Sequence, residues 1–403
     1  MRRVMGWRAS RAGGMGRALA LLGCVLALIL AGCGGGSGAT QAPTAPATAH
    51  GGSAGAQGTT TPGAATPGAS ATTASAPAAS DAYAAGQALP HSLGGPDTWA
   101  WHASLPGSRF ILYYGVVGAP TAGVIGYYGG DENALLDRLR AQAQQYAQAD
   151  PSHPVTMGLD VVEPLADAFP QQGYYVDRMD ANTLQHYVDL TRDNHMVLFF
   201  DMQIGYSNLQ REMAYLMPYL QYPWVHLAID PEWDHAYGGQ GEGCPGFADN
   251  INATGRMYAS EVNYVIDQLS ALVVSQHLPP KTLILHQYQV GENPSYDGYV
   301  CGNHKPSESW KNIQLKPGVN LVLNCDGVGS SLWGGLGTKI DVYNVVESEQ
   351  LSLGRIINQY YAGIKLYYYY PDLGLDPNFY DDPQMTPQEV LSLNPAPLLV
   401  MYQ

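Results

Sequence analysis

The stretch 225-VHLAIDPEWDH-235 decides the fold class. It begins as a short apolar run and presents three carboxylates immediately afterwards, at Asp230, Glu232 and Asp234. Continuous rather than alternating apolarity is typical of a strand that is covered on both faces, as strands of a parallel sheet are. Strand alternation would place Asp230 and Glu232 on one side, about 6 to 7 Å apart, with Asp234 exposed beyond the strand.

Seven other segments repeat this pattern of a short apolar run that ends in polar residues. They are RFILYYG (109–115), PVTMGLDVV (154–162), MVLFFDMQ (196–203), TLILHQYQ (282–289), VNLVLNCDG (319–327), AGIKLYYYY (362–370) and PLLVMYQ (397–403). Segments with helical periodicity separate most of them, so the sequence predicts a (β/α)8 TIM-like barrel whose last strand is the eighth. An open doubly wound sheet is the alternative, but no Gly-rich dinucleotide fingerprint follows the first run.

The predicted helices carry recognisable start signals. Asp180 is placed to cap a helix with Leu184 and Val188 on its apolar face. Near the end of the chain, Thr386 precedes Pro387, a residue favoured at the first helical position. These signals support helices between the strands.

The N-terminal residues predict export and a lipid anchor. Five arginines precede the uncharged run ALALLGCVLALIL (18–30). The following Leu30-Ala31-Gly32-Cys33 resembles the lipobox of bacterial lipoproteins, and this resemblance implies cleavage before Cys33 and lipidation of Cys33. Residues 1–33 are therefore expected to be a lipoprotein signal peptide that places the protein on the outer face of the bacterial cell membrane.

Composition divides the rest of the chain into a tether and a domain. Residues 34–88 are almost wholly Gly, Ala, Ser, Thr and Pro, which predicts a disordered linker, and residues 89–403 form the barrel domain. Without the five leader arginines, the 19 basic residues fall to 14 against 34 acidic ones, a formal charge of −20. Such acidity argues against nucleic acid and against charge-driven membrane binding, so the lipid is the only expected membrane contact. The domain is expected to be a monomer.

The cysteines predict one disulfide in a compartment that permits it. Cys244 and Cys301 lie in polar loops after adjacent strands, and we expect them to pair. Cys325 ends an apolar run and is expected to be a buried thiol.

Polar residues at the carboxyl ends of the strands are the candidate site, because barrel active sites form there. The proposed catalytic carboxylates are Glu232, Asp230, Asp201 and Asp326. The proposed substrate-binding residues are Asp160, Gln203, Trp233, His286, Gln287, Asn324, Lys365 and Tyr367. Tyrosines that include Tyr127, Tyr128 and Tyr370 are expected to form an aromatic rim for sugar.

Asp230-Pro231-Glu232 resembles the D-x-E signature that ends strand four in chitinase-type and muramidase-type barrel glycosidases. That resemblance implies that Glu232 donates a proton and that Asp230 supports it. The two earlier acids of the chitinase motif are absent. Because the second carboxylate must face the donor across a sugar ring, Asp201 or Asp326 is the expected partner.

The domain as a whole resembles uncharacterised bacterial secreted barrel lipoproteins, on the segments LAIDPEW, LILHQY, NCDG and GIKLYY. The predicted function is carbohydrate hydrolysis by carboxylate acid/base catalysis, with no metal and no cofactor. One alternative is a carbohydrate-binding lipoprotein without activity. Another is a metal-assisted hydrolase, for which the candidate ligands are Asp160, Asp201, Glu232, His286 and Asp326.

Replacing the predicted lipidated residue tests the proposed location. In the Cys33→Ser variant the acyl chains have no attachment site, so we expect the protein to leave the membrane fraction and appear in the soluble fraction. Fractionation followed by immunoblotting measures this. Unchanged partitioning of the variant would contradict the anchor.

Overall fold

The computed structural model describes residues 96–167, 176–205, 207, 209–234, 257–288, 312–354, 360–370 and 379–403. The expected leader and tether fall outside these ranges, as do Cys244 and Cys301, so the anchor and the disulfide stay predictions. Cys325 is described, and it is a buried thiol at the end of a strand as expected. None of the helices among the described residues is both long and apolar enough to cross a membrane.

Eight parallel strands close into a barrel, which confirms the predicted (β/α)8 fold. The strands are β1 (Arg109–Gly115), β2 (Val155–Val162), β3 (Val197–Met202), β4 (Val225–Ile229), β5 (Lys281–Tyr288), β6 (Val319–Asp326), β7 (Tyr360–Leu366) and β8 (Leu399–Tyr402). Each strand pairs in parallel with its neighbours in chain order, and β8 pairs with β1. This closing pair excludes the open doubly wound sheet.

Seven α-helices lie among the described residues. They are α1 (Gly123–Tyr128), α2 (Glu132–Ala149), α3 (Ala181–Asp193), α4 (Leu209–Leu220), α5 (Ala259–Gln276), α6 (Gly335–Gly354) and α7 (Pro387–Leu391). The predicted cap of α3 is confirmed, since the Asp180 carboxylate accepts hydrogen bonds from the backbone of Asn182 and Thr183. Thr386 caps α7 in a capping box with Glu389.

Alternation along the strands separates two apolar layers. Outward-facing residues such as Leu198, Leu283 and Leu321 pack against the helices in the larger cluster. Inward-facing residues such as Leu112, Ile284 and Val322 fill the barrel interior. The interior is therefore a packed core, and a polar reaction site can form only at the carboxyl ends of the strands.

The interior is narrow enough to require glycine at Gly158 on β2 and at Gly363 on β7. A Cβ added to Gly158 would lie 2.5 Å from a Leu112 side-chain atom and 2.6 Å from one of Val197. At the opposite end from the strand carboxyl termini, Ala103 and Leu105 of the N-terminal segment pack against the same interior cluster. This segment closes the amino end of the barrel.

His226 is a buried, uncharged residue in the lower interior. Its ring lies against Phe199, with ring centroids 5.1 Å apart, and its Nδ1 accepts a hydrogen bond of 3.2 Å from the Thr282 backbone N–H. Burial, and secondarily the charge of Lys281, holds the pKa of His226 well below its usual value. The folded protein therefore keeps this imidazole neutral.

Protonation of His226 is expected to oppose folding below about pH 6.5. Below that pH the unfolded chain binds a proton at His226 that the folded chain does not bind. The stability that the neutral imidazole allows is therefore fully present above the unfolded pKa and is lost as the pH falls. We expect His226→Asn to be about 1–3 kcal/mol less stable at pH 7.5, because it leaves a cavity. The variant should also lose less stability on acidification, by up to about 1.4 kcal/mol for each pH unit below 6.5.

Urea unfolding of both proteins at pH 7.5 and pH 5.5 measures this difference. His102→Asn is the matched control, since it makes the same substitution at an exposed histidine. Equal acid sensitivity of the wild type and His226→Asn would show that His226 is not the titrating group.

Candidate active site

A layer of charged and polar side chains covers the apolar interior at the carboxyl ends of the strands. Six of the residues proposed from the sequence occupy this layer: Asp160 on β2, Asp201 on β3, His286 on β5, Asn324 and Asp326 on β6, and Lys365 on β7. Asp230 follows β4 directly, and all seven are buried. Each strand contributes through its inward-facing position, which is why residues distant in the chain meet here.

Asp326 is the best-connected carboxylate of this layer. Its Oδ2 accepts hydrogen bonds from His286 Nδ1 at 3.0 Å and from Lys365 Nζ at 3.1 Å. Its Oδ1 accepts a short hydrogen bond from the Tyr367 hydroxyl. Burial alone would raise the pKa of Asp326, but the charge of Lys365 and the bonds from His286 and Tyr367 outweigh it and hold the pKa well below its usual value. Asp326 is therefore an ionised acceptor.

His286 lies between two carboxylates. Its Nδ1 faces Asp326, and its Nε2 lies 3.3 Å from Oδ2 of Asp201, an ion-pair distance without the alignment of a hydrogen bond. Burial would lower the pKa of His286, but the charges of Asp201 and Asp326 raise it well above the usual value. In the absence of another cation, the imidazole is positively charged.

Asp160 and Asp230 hold protons more tightly than usual. Burial, then the charge of Asp201, raises the pKa of Asp160. Burial, then the charge of Glu232, raises the pKa of Asp230. The site thus contains carboxyl groups with opposite tendencies, since Asp326 favours the ionised form while Asp160 and Asp230 favour the protonated one.

The chain after β4 corrects the expected geometry of the D-x-E segment. The strand ends at Ile229, and Pro231–Trp233 form a 3-10 turn, so Glu232 does not continue the strand pleat and the spacing expected from alternation does not apply. The turn is fixed by the loop after β3, because Gly205 N–H donates to the Trp233 carbonyl at 2.6 Å. This pairing also buries Asp234, and the prediction that Asp234 is exposed was wrong.

Glu232 is half-buried in the turn after β4, close enough to Asp230 and Tyr367 for its charge to act on both. Its charge raises the pKa of Asp230 beside it and contributes to the raised pKa of Tyr367, although burial and Asp326 are the larger causes for Tyr367. Tyr367 follows β7, which is not a neighbour of β4 in the barrel. Glu232 and Asp326 therefore approach the same tyrosine from different strands.

The other proposed residues lie at different distances from this centre. Gln203 donates from Nε2 to the Tyr114 hydroxyl at 3.4 Å within the interior, and Trp233 is half-buried in the turn after β4. Gln287 follows His286 on β5, so its side chain lies on the opposite face of the strand. There its Nε2 donates a hydrogen bond to the backbone carbonyl of His286.

Three of the expected rim tyrosines lie beside the barrel. Tyr127 and Tyr128 end α1 and line a pocket with the outward-facing Tyr113 and with Arg138 of α2. Tyr370 stacks on Tyr127, with ring centroids 4.4 Å apart. These three rings therefore pack around the outer face of β1 rather than over the charged layer.

Tyr114 is a site residue that the sequence reasoning missed. Its buried ring lies under Lys365, whose Nζ is 3.8 Å from the ring centroid. Alternation along β1 could have identified it, because Phe110, Leu112 and Tyr114 share the inward side. The ring shields the ammonium group from solvent and directs it towards Asp326.

Comparisons with known proteins add no relative. No protein-family model matches the chain, and neither curated proteins nor solved structures give a match. Fold and site together define a TIM-like barrel protein with a charged centre at the carboxyl ends of its strands.

Proposed function

We propose that the protein is a lipid-anchored extracytoplasmic hydrolase that cleaves carbohydrate by carboxylate acid/base catalysis. The observation that carries the proposal is that carboxyl groups of two kinds, one favouring the protonated and one the ionised form, lie together in the mouth. The mouth is the open end of the barrel at the carboxyl ends of the strands. Asp230 and Glu232 adjoin each other after β4, and Asp326 is held ionised on β6 by Lys365. Pairs of acids whose environments push their pKa values apart are the requirement for general acid/base chemistry.

Asp230 and Glu232 act as the proton donor in this proposal. Two adjacent carboxylates cannot both ionise easily, so the pair retains a proton near neutral pH. Glu232 is the more exposed member, and it is the one that can reach a glycosidic oxygen. Asp230, which is fully buried, keeps the shared proton from being lost to solvent.

Asp326 or Asp201 supplies the opposing carboxylate. Asp326 is ionised and oriented by three donors, and Tyr367 links it to the side of the mouth that Glu232 faces. Asp201 is fully buried beside His286. In either case the carboxylate lies on a different strand from the donor, as attack across a sugar ring requires.

The lipid anchor and the acidic composition support a carbohydrate outside the cell as the substrate. A long, nearly uncharged tether would let a surface-attached barrel reach polymers around the cell. Without the five leader arginines, the 19 basic residues fall to 14 against 34 acidic ones, which leaves a formal charge of −20. A protein of this charge would not repel neutral or cationic glycans.

Removing the donor proton should abolish turnover while the fold persists. We expect Glu232→Gln to lower kcat by about 10²–10⁴-fold, because an amide cannot protonate the leaving oxygen. Release of reducing ends from a panel of cell-wall and capsular polysaccharides measures the rate. Glu132→Gln is the matched control, since Glu132 lies on the outer helix α2 and bonds His186 rather than a residue of the charged layer, and its activity should equal that of the wild type.

Two results would contradict the proposal. One is polysaccharide that binds but is never shortened, with Glu232→Gln leaving binding unchanged, which would indicate a carbohydrate-binding lipoprotein. The other is full hydrolytic activity in the Glu232→Gln variant, which would move the proton donor to another residue.

A further inference from the structure

Three side chains on adjacent strands converge beneath the mouth. One ligand atom from each of Asp160, Asp201 and His286 lies within 4.8 Å of the other two, and all three residues are fully buried. From this geometry we infer that they hold one first-row divalent metal ion, of the class of Mn²⁺ or Zn²⁺. The inference goes beyond the proposed acid pair and does not depend on it.

The carboxylates of this cluster lack other partners among the described residues. Neither oxygen of Asp160 and neither oxygen of Asp201 accepts a hydrogen bond there. Buried carboxylates are strongly destabilising unless they are hydrogen-bonded or bound to a cation. Four such oxygens in one place are therefore the acceptors that a metal ion would satisfy.

His286 is held in the orientation of a metal ligand. Asp326 also accepts from Lys365 and Tyr367, so it can only act as an acceptor towards His286 Nδ1. That bond directs the second ring nitrogen, Nε2, towards Asp201. A carboxylate behind a metal-binding imidazole fixes its tautomer and ring angle in this way, and Asp326 is a positioning residue by this role.

The donor set selects the class of ion. Two carboxylate oxygens and one imidazole nitrogen suit Mn²⁺, Fe²⁺ or Zn²⁺ better than the all-oxygen shells that Ca²⁺ prefers. Bonds of about 2.0–2.2 Å place two ligands no more than about 4.4 Å apart, so only small side-chain rotations are needed. Asp230 Oδ1 also has no hydrogen-bond partner in the described part of the chain, and the carboxyl group is near enough to Asp201 and His286 to feel their charges, so it could reach the ion through water.

A metal ion here would add an electrophile to the floor of the mouth. It could polarise a substrate oxygen or lower the pKa of a bound water. Binding can be measured without any substrate, so failure of the metal site and failure of the proposed glycosidase are separate results.

Calorimetric titration with Mn²⁺ tests the site directly. The full chain, purified without a polyhistidine tag and treated with chelator, should bind one Mn²⁺, and binding should raise its unfolding temperature. Asp160→Asn and Asp201→Asn should each weaken binding at least tenfold. Both variants should still fold without metal, because asparagine preserves the volume of each buried side chain.

Asp137→Asn is the matched control, because it removes one acid whose side chain is 77% exposed on α2. Its affinity for Mn²⁺ should equal that of the wild type. The inference is overturned if the wild type binds neither Mn²⁺ nor Zn²⁺. It is also overturned if both Asp→Asn variants fold and bind Mn²⁺ as tightly as the wild type.

Discussion

The functional centre depends on one buried carboxylate, Asp326, and on the three donors that converge on it. His286, Lys365 and Tyr367 come from two other strand regions, and each would be costly to bury without a charged or polar partner. Together they convert an unfavourable set of charges into a satisfied network. The orientation of His286, with its Nε2 towards Asp201, follows from this interaction.

The apolar layer below supports this network. Inward positions in the middle of β5 and β6 carry Ile284 and Val322, and the same alternation places His286 and Asn324 two positions later. A low-dielectric floor strengthens each electrostatic interaction above it. The charged residues are therefore pre-organised by a packed core, and this is the property that catalysis by fixed dipoles and charges requires.

The sequence predicted the architecture well because the strands are signalled by local patterns. Eight apolar runs became eight strands, and the caps Asp180 and Thr386 begin helices where expected. The turn after β4 could not be predicted in the same way, since a tertiary bond between Gly205 and Trp233 determines it and buries Asp234. The inward position of Tyr114 on β1 and the outward position of Gln287 on β5 could have been predicted from the alternation of their neighbours. The three hydrogen bonds that Asp326 accepts join residues of different strands, and residue spacing along one strand does not predict such contacts.

The proton positions on His286 test the central interaction most directly. Long-range ¹H–¹⁵N correlation spectra of histidine-labelled protein, assigned with a His286→Gln variant, report which ring nitrogen carries hydrogen. We expect Nδ1 to be protonated throughout the neutral range because it donates to Asp326, whether or not Nε2 also carries a proton. A His286 ring with a bare Nδ1 would contradict the network, since Asp326 would then have no hydrogen bond to accept from it.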